Sequence, residues 1–122
     1  RTATIPVTAP RRATKGVRET AVVLRHGDRV VVERRGAGSW WEGLWDFPLA
    51  DAGWKAIRSD RQLTSLEYTV THHRVTRRVV ERSLTRLPET GRHRRLVTLA
   101  ALGRLAMTAP GRRIAKLLVA GG

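Results

Sequence analysis

The segment AGSWWEGLWDFPLADAG, residues 37–53, contains four of the six Trp, Tyr and Phe side chains of the chain. It is rich in glycine and contains Pro48, which is typical of a loop rather than of a helix. Aromatic side chains that are this dense in a glycine-containing loop usually pack beneath it. We therefore expect Trp41, Trp45 and Phe47 to attach this loop to the core instead of forming an exposed stacking surface.

The residues before this loop predict a β-hairpin. The sequence ETAVVLRHGDRVVVERRG, residues 19–36, has two runs of β-branched residues on either side of Gly27-Asp28. A Gly-Asp pair tolerates the positive φ angles of a tight turn. We expect antiparallel strands near residues 20–26 and 29–35.

The residues after the loop predict a second β region followed by helices. WKAIRSDRQ, residues 54–62, could form one or two helical turns, and a β region runs from Leu63 to Leu87. LPETGRHRR, residues 87–95, reads as a loop with its turn at 89–91. This order of strands and then helices predicts an α+β fold.

The last segment, residues 95–122, begins like a strand and then changes to helical spacing. Two apolar stripes flank a predicted break at Pro110-Gly111. Their members are Leu102, Leu105 and Ala106 before the break, and Ile114, Leu117 and Leu118 after it.

Composition limits the class of protein. A chain of 122 residues with 41% hydrophobic residues fits one domain with a modest core. The absence of cysteine excludes disulfides, thiolate zinc sites and cysteine-bound iron–sulfur clusters within this chain. No apolar run approaches the roughly 20 residues that span a bilayer, so we expect a cytoplasmic protein without a membrane partner.

Residues 1–16, with two prolines and several basic residues, read as an interdomain connector.

The formal net charge of +14 is the strongest compositional feature. A basic surface attracts polyanions and gives sequence-independent affinity for phosphates. Lys15, Lys55 and Lys116 are the only lysines, so arginine dominates. Contact with nucleic acid and a general arginine bias of the surface explain this charge equally well.

The segment EYTVTHHRVTRRVVERSL, residues 67–84, contains the adjacent residues Thr71, His72 and His73. Neighbouring side chains of a strand point to opposite faces, so one metal ion cannot readily bind both histidines. The serines lack the setting of a nucleophile elbow, so the pattern does not favour a serine hydrolase. From the strand pattern alone, Thr71 is an ordinary β-former.

Several segments resemble one family in the correct order. WEGLWDFP (41–48) resembles the tryptophan motif in the Nudix-like C-terminal domain of MutY-type adenine DNA glycosylases, and YTVTHHRVT (68–76) resembles its His-Thr-Phe-Ser-His segment. PVTAPRR (6–12) is similar to the connector of those enzymes, and residues 96–118 to their closing strand and helices. The structural motif of the resemblance comprises Trp41, Gly43, Trp45, Phe47 and Pro48.

The resemblance implies a Nudix-like fold that reads a DNA lesion. In this family the N-terminal domain excises adenine, while the C-terminal domain closes over the opposite 8-oxoguanine. Thr71 takes the position of the family's serine, His72 that of its histidine, Val70 that of its phenylalanine, and Tyr68 that of its first histidine. The resemblance assigns lesion recognition to Thr71, His72, Val70 and Tyr68. We expect DNA-backbone contacts from His73, Arg74, Arg77 and Arg78, because arginine binds phosphate bidentately.

We expect no catalytic residue in this chain. A Nudix hydrolase needs a helix with several glutamates to bind magnesium on a diphosphate. Between Pro48 and Leu66 the chain offers only Asp51 and Asp60 and no glutamate, so the fold is expected to be degenerate, without a Nudix box and without a metal site. The resemblance places the excision chemistry and the iron–sulfur cluster of the parent glycosylase in its other domain.

The expected organisation is therefore a connector at 1–16 and a recognition domain at 17–122. The expected partners are double-stranded DNA with 8-oxoguanine opposite adenine and the N-terminal glycosylase domain of the same polypeptide. We expect a monomer in the bacterial cytoplasm, associated with the nucleoid. The alternative is a catalytically inactive Nudix-like module that binds a nucleotide or a protein.

Overall fold

A computed structural model of the chain describes residues 15–50 and 54–121. The predicted connector lies almost wholly outside the described residues, and its boundary stays a prediction. The described residues form a mixed sheet with one 3₁₀ helix and one α-helix, which confirms the predicted α+β class. The elements are β1 (Lys15–His26), β2 (Arg29–Arg34), β3 (Trp45–Asp46), β4 (Arg61–Val70), β5 (His73–Ser83), β6 (Arg94–Thr98), the 3₁₀ helix (Ala100–Arg104) and α1 (Ala109–Gly121).

The sheet has the order β3-β2-β1-β5-β4, and β6 pairs with β2. Strands β1 and β5 are parallel over their whole paired length, and the other pairs are antiparallel. The predicted first hairpin is confirmed, with Gly27 in the left-handed region at φ 64°. Strands β1 and β2 pair only beside this turn, at residues 25–26 and 29–30, and then separate.

The aromatic loop fills the gap where β1 and β2 separate. Trp45 donates its N–H to the Ala106 carbonyl at 2.8 Å, and its own carbonyl accepts from Thr108 at 2.9 Å. Three residues later in the motif, the Pro48 carbonyl accepts from the N–H of Val22 of β1 at 2.8 Å. Residues 45–48 thus connect β2, β1 and the entry to α1, and the side chains of Trp45 and Phe47 are buried in the core.

The start of α1 packs tightly on β3. The hydroxyl of Thr108 accepts a hydrogen bond from the N–H of Gly111 at 2.9 Å, which is the usual capping interaction of a helix N-terminus. A Cβ on Gly111 would lie 2.8 Å from Oδ1 of Asp46, so only glycine fits there. The predicted break at Pro110-Gly111 is wrong, because both residues lie in the first turn, where proline loses no hydrogen bond.

The predicted second β region is confirmed, and it is a hairpin of β4 and β5 whose turn is Thr71-His72. Two further expectations are corrected. Residues 54–60 form a loop without helical turns, and residues 61–62 already belong to β4. In the loop that precedes β6, Gly91 pairs with Arg94, so the turn lies at 92–93 instead of 89–91.

A buried group of charges joins β5 to β3 and β1. Arg77 is 1% exposed and binds both carboxylate oxygens of Asp46, each at 2.9 Å. Its Nε donates to Glu19 at 2.6 Å. Tyr68 donates a hydrogen bond from its hydroxyl to the same oxygen of Glu19 at 2.7 Å. Nη2 of Arg35 lies 3.6 Å from Oδ2 of Asp46. Two guanidinium groups and two carboxylates therefore balance each other's charge inside the fold.

The pairing keeps these charges in their ionised forms. Burial alone would lower the pKa of Arg77, but the hydrogen bonds and negative charges of Asp46 and Glu19 raise that pKa above its usual value. A fully buried guanidinium without partners would be far more costly. The network therefore fixes β5 against the aromatic loop.

We expect Trp45→Ala to reduce the free energy of unfolding by about 3–5 kcal/mol, the usual cost of removing a large buried aromatic side chain. Trp40→Ala is the matched control, because Trp40 is 44% exposed in the same loop. The control should cost less than about 1 kcal/mol. Urea denaturation measures both changes, and equal losses would contradict this assignment of the buried tryptophan.

Tyr68, the only tyrosine of the chain, gives a direct pH test of the network. Burial, followed by the hydrogen bond to Glu19, raises the pKa of Tyr68 from 10.0 to about 12. The stability contributed by the protonated phenol is therefore fully present below about pH 10 and is lost as the pH rises towards 12. An absorbance titration of phenolate should show this raised midpoint while circular dichroism reports a folded chain. A midpoint near 10 in the folded chain would contradict the buried contact.

Candidate functional site

The turn between β4 and β5 presents Thr71 and His72 to solvent. Both side chains are exposed, and Thr71 has a φ angle of 51°. A β-branched residue rarely adopts this left-handed conformation, which costs on the order of 1–3 kcal/mol. Glycine or asparagine would be the ordinary choice at such a position. Backbone strain of this kind is found mainly at functional sites.

The hydroxyl of Thr71 is oriented from within the turn. It donates to the carbonyl of Val70 at 2.7 Å, and Nδ1 of His73 lies 3.2 Å from Oγ1 of Thr71. Whichever tautomer His73 adopts, the hydroxyl proton has an acceptor inside the protein. The threonine oxygen therefore faces solvent with a lone pair available, so it can act as a hydrogen-bond acceptor for a ligand.

Trp40 lies beside this turn, although the sequence did not predict it as a site residue. The ring of Trp40 packs on His73 with centroids 5.0 Å apart, and the tryptophan remains 44% exposed. The neighbouring Trp41 packs similarly on Tyr68, at 6.1 Å. The two adjacent tryptophans thus connect the aromatic loop with the β4–β5 hairpin. The sequence signal for this surface was the pair of consecutive tryptophans, neither of which belongs to the buried core.

A cavity of about 340 Å³ opens between this loop and the hairpin. Its walls include Trp40, Trp41, Tyr68, Arg35 and Arg77. Among the residues that the structure describes, buried Nε1 of Trp41 has no hydrogen-bond partner.

Two of the four residues expected to recognise the lesion lie away from the turn's tip. Tyr68 is half-buried, with its hydroxyl bound to Glu19, and Val70 is half-buried at the end of β4. Only Thr71 and His72 are exposed at the tip. His73, expected to contact the DNA backbone, instead lies against Thr71 and Trp40, where it orients the threonine.

The expected backbone contact from Arg77 is corrected by the structure. Its guanidinium is buried and bound to Asp46 and Glu19, so a phosphate could reach it only by breaking the buried network. Its neighbours on β5 differ, because Arg74 and Arg78 are exposed. The difference follows from strand alternation, which places Arg77 on the core-facing side of the sheet and the other two on the opposite side.

The loop at residues 54–60, where helical turns were predicted, provides few ligands for a metal ion. Within residues 15–50 and 54–121, no three acidic or histidine side chains converge as potential ligands. Asp60 binds Arg82 through both carboxylate oxygens, each at 2.7 Å. The hydrogen bonds from Arg82 lower the pKa of Asp60 below its usual value, so this carboxylate is already committed. No helix in the described residues is long and apolar enough to cross a bilayer.

Solved structures share this fold at low sequence identity. The C-terminal domain of mouse MUTYH, solved in complex with human PCNA, matches with a TM-score of 0.67 and 14% identity, over 85% of this chain and 88% of that chain. MutT, from a study of the Aliivibrio salmonicida and Vibrio cholerae proteins, matches with a TM-score of 0.68 and 12% identity, over 88% and 100%. The NUDIX domain of Shewanella oneidensis NrtR, solved with ADP ribose, matches at 0.67 and 10% identity, over 91% of each chain.

At these identities the structural matches establish the fold alone. No protein of curated function matches the sequence. The family model described as NUDIX domain matches residues 20–117, which is most of the chain and includes both the aromatic loop and the β4–β5 hairpin. The expected Nudix-like fold is thereby confirmed, and the chain belongs to the Nudix domain family.

Proposed function

We propose that this chain is the lesion-recognition domain of an A/G-specific adenine DNA glycosylase, and that the turn Thr71-His72 contacts 8-oxoguanine opposite adenine. The observation that carries the proposal is the state of the Thr71 hydroxyl. The carbonyl of Val70 accepts the hydrogen bond of this hydroxyl within the turn, which leaves a lone pair of the exposed oxygen available to accept from a ligand. This is the property that a reader of 8-oxoguanine needs.

The chemistry of the two purines explains why an acceptor discriminates between them. Guanine presents N7 as an acceptor in the major groove, whereas 8-oxoguanine has a proton on N7. An acceptor oxygen forms a hydrogen bond with the oxidised base and meets a second lone pair on the normal base. Thr71 would therefore favour the lesion by attraction and oppose guanine by repulsion.

Three further observations support this reading. The segments quoted above resemble the MutY-type domain, and the C-terminal domain of mouse MUTYH has the same fold. The net charge of +14 suits a partner with many phosphates. The strained φ angle of Thr71 coincides with the residue that the resemblance selects.

The proposal assigns recognition, and not bond cleavage, to this chain. Excision of adenine, together with the iron–sulfur cluster of the family, would belong to an N-terminal glycosylase domain of the same polypeptide. We propose that the chain itself needs no cofactor and acts as a monomer on DNA, in the bacterial cytoplasm at the nucleoid. Base excision requires the adenine to leave the stack, so a separate domain can read the base that stays behind.

The second candidate is a catalytically inactive Nudix-like module that binds a protein or a nucleotide. The MUTYH domain was solved with a protein, human PCNA, and the NrtR domain with ADP ribose. Such a module would show no preference between duplexes that differ only at C8 of one purine.

The test compares two duplexes that carry adenine opposite either 8-oxoguanine or guanine. Fluorescence anisotropy of the 122-residue chain should show a preference for the lesion duplex. Thr71→Ala should reduce the ratio of the two affinities roughly 2- to 10-fold, which corresponds to one hydrogen bond of about 0.5–1.5 kcal/mol. His72→Ala should reduce it further, because an exposed imidazole at the same tip can contact both the lesion and its phosphate.

Thr71→Ser is the matched control, because it retains the hydroxyl and should retain the ratio. Thr71→Gly removes the hydroxyl and also relieves the left-handed strain, so it should lose the ratio without lowering the melting temperature. If Thr71→Ala and wild type discriminate equally, Thr71 is an ordinary turn residue and the proposal is wrong.

A further inference from the structure

A second site lies on the face of the sheet opposite α1. It is a cleft of about 710 Å³ that crosses β1, β5 and β4. We call it the basic cleft and define it by the exposed or half-buried side chains of Arg18, Thr20, Trp54, Ser65, Thr76 and Arg78. It is distinct from the cavity beside Trp40, which lies on the core-facing side of the same strands.

Strand pairing brings the cationic groups together. Arg18 of β1 pairs directly with Thr76 of β5, and Arg74 and Arg78 flank Thr76 on the same face. Arg74 and Arg78 are four residues apart on one strand, a span of roughly 13 Å, which is similar to the rise of about four base pairs along the axis of a DNA duplex. Arg18 lies midway between them on the neighbouring strand.

Within the described residues, none of these three arginines forms an ion pair. Arg78 donates only to the neutral side chain of Gln62, at 3.2 Å. By contrast, the buried Arg77 is paired with both Glu19 and Asp46. Unpaired guanidinium groups along one face are available to an anion from outside the fold.

Within residues 15–50 and 54–121, two carboxylates adjoin the cleft, and neither neutralises it. Glu19 contributes to the lining, but its side chain points to the other face and binds Arg77 and Tyr68. Glu67 of β4 pairs with Thr76 and shares the face of the cleft, yet it forms no ion pair within the described residues. In this part of the chain, Arg18, Arg74 and Arg78 therefore share the face with one carboxylate that has no ion-pair partner.

The remaining lining suits a sugar–phosphate chain. Thr20, Ser65 and Thr76 place hydroxyl groups along the floor, and hydroxyls are common donors to phosphate oxygens. One wall is fixed, because the guanidinium of Arg82 lies 5.3 Å from the centre of the Trp54 ring and is itself bound to Asp60.

From these observations we infer that the basic cleft binds the sugar–phosphate backbone of DNA, along a line from Arg74 beside the β4–β5 turn to Arg78. The inference rests on the proposed function in taking DNA as the ligand. The cleft would be a phosphate-binding surface on the face of the hairpin opposite Trp40. This surface would not read the base sequence but would position the turn on the duplex.

The experiment measures binding of the 122-residue chain to undamaged and 8-oxoguanine duplexes across a range of salt concentrations. Arg18→Gln and Arg78→Gln should each reduce the slope of log affinity against log salt by about 1, for one lost phosphate contact. Glu67→Gln should strengthen binding, because it removes a negative charge from the same face. Arg104→Gln, at an exposed position of the 3₁₀ helix outside the cleft, is the matched control and should leave the slope unchanged.

The two arginine variants should weaken binding to both duplexes equally and preserve the lesion ratio, whereas Thr71→Ala changes only the ratio. Slopes for Arg18→Gln and Arg78→Gln that match Arg104→Gln would overturn the inference, even if the lesion preference stands. Reduced slopes without any lesion preference in wild type would support the cleft and contradict the proposed function. Strong competition by a free nucleoside triphosphate, with no response to duplex, would assign the cleft to a small nucleotide and also overturn the inference.

Discussion

The bidentate pair between Arg77 and Asp46 is the interaction on which the arrangement of the chain depends. It joins the middle of β5 to the two-residue strand β3, and through Asp46 it reaches the first turn of α1, where only glycine fits at 111. Glu19 extends the same network to β1 and to Tyr68 of β4. Loss of one partner would leave an uncompensated buried charge, which typically costs about 3–5 kcal/mol.

The network also explains how the exposed turn that we propose as the reader is held in place. Tyr68 and Arg77 fix the part of the β4–β5 hairpin that lies three to five residue pairs from the turn, while Trp40 and His73 support its tip. Thr71 therefore projects from a hairpin that is anchored close to its turn, and the strain at its φ angle is balanced by the surrounding structure. Preorganisation of this kind lowers the entropic cost of binding a ligand.

The sequence predicted the first hairpin, the α+β class and the burial of Trp45, because each follows from a local pattern of apolar residues and turn formers. It did not predict the turn at Thr71-His72, since β-branched threonine is a poor turn residue and the alternating pattern continues through it. Arg77 was misassigned for a related reason. An arginine between other arginines looks like part of a solvated surface, and only the pairing of β5 with β1, which places Glu19 opposite, shows that it faces inward.

The central claim, that the tip of the β4–β5 hairpin reads the lesion, is tested most directly by NMR mapping of the chain with the two duplexes. The account predicts that the backbone amides of Thr71 and His72 and the indole N–H of Trp40 shift differently with the 8-oxoguanine duplex than with the guanine duplex. Signals from Arg18 and Arg78 should shift alike with both. The account would be contradicted if the signals of the turn shifted equally with both duplexes, or if lesion-dependent shifts occurred only in α1.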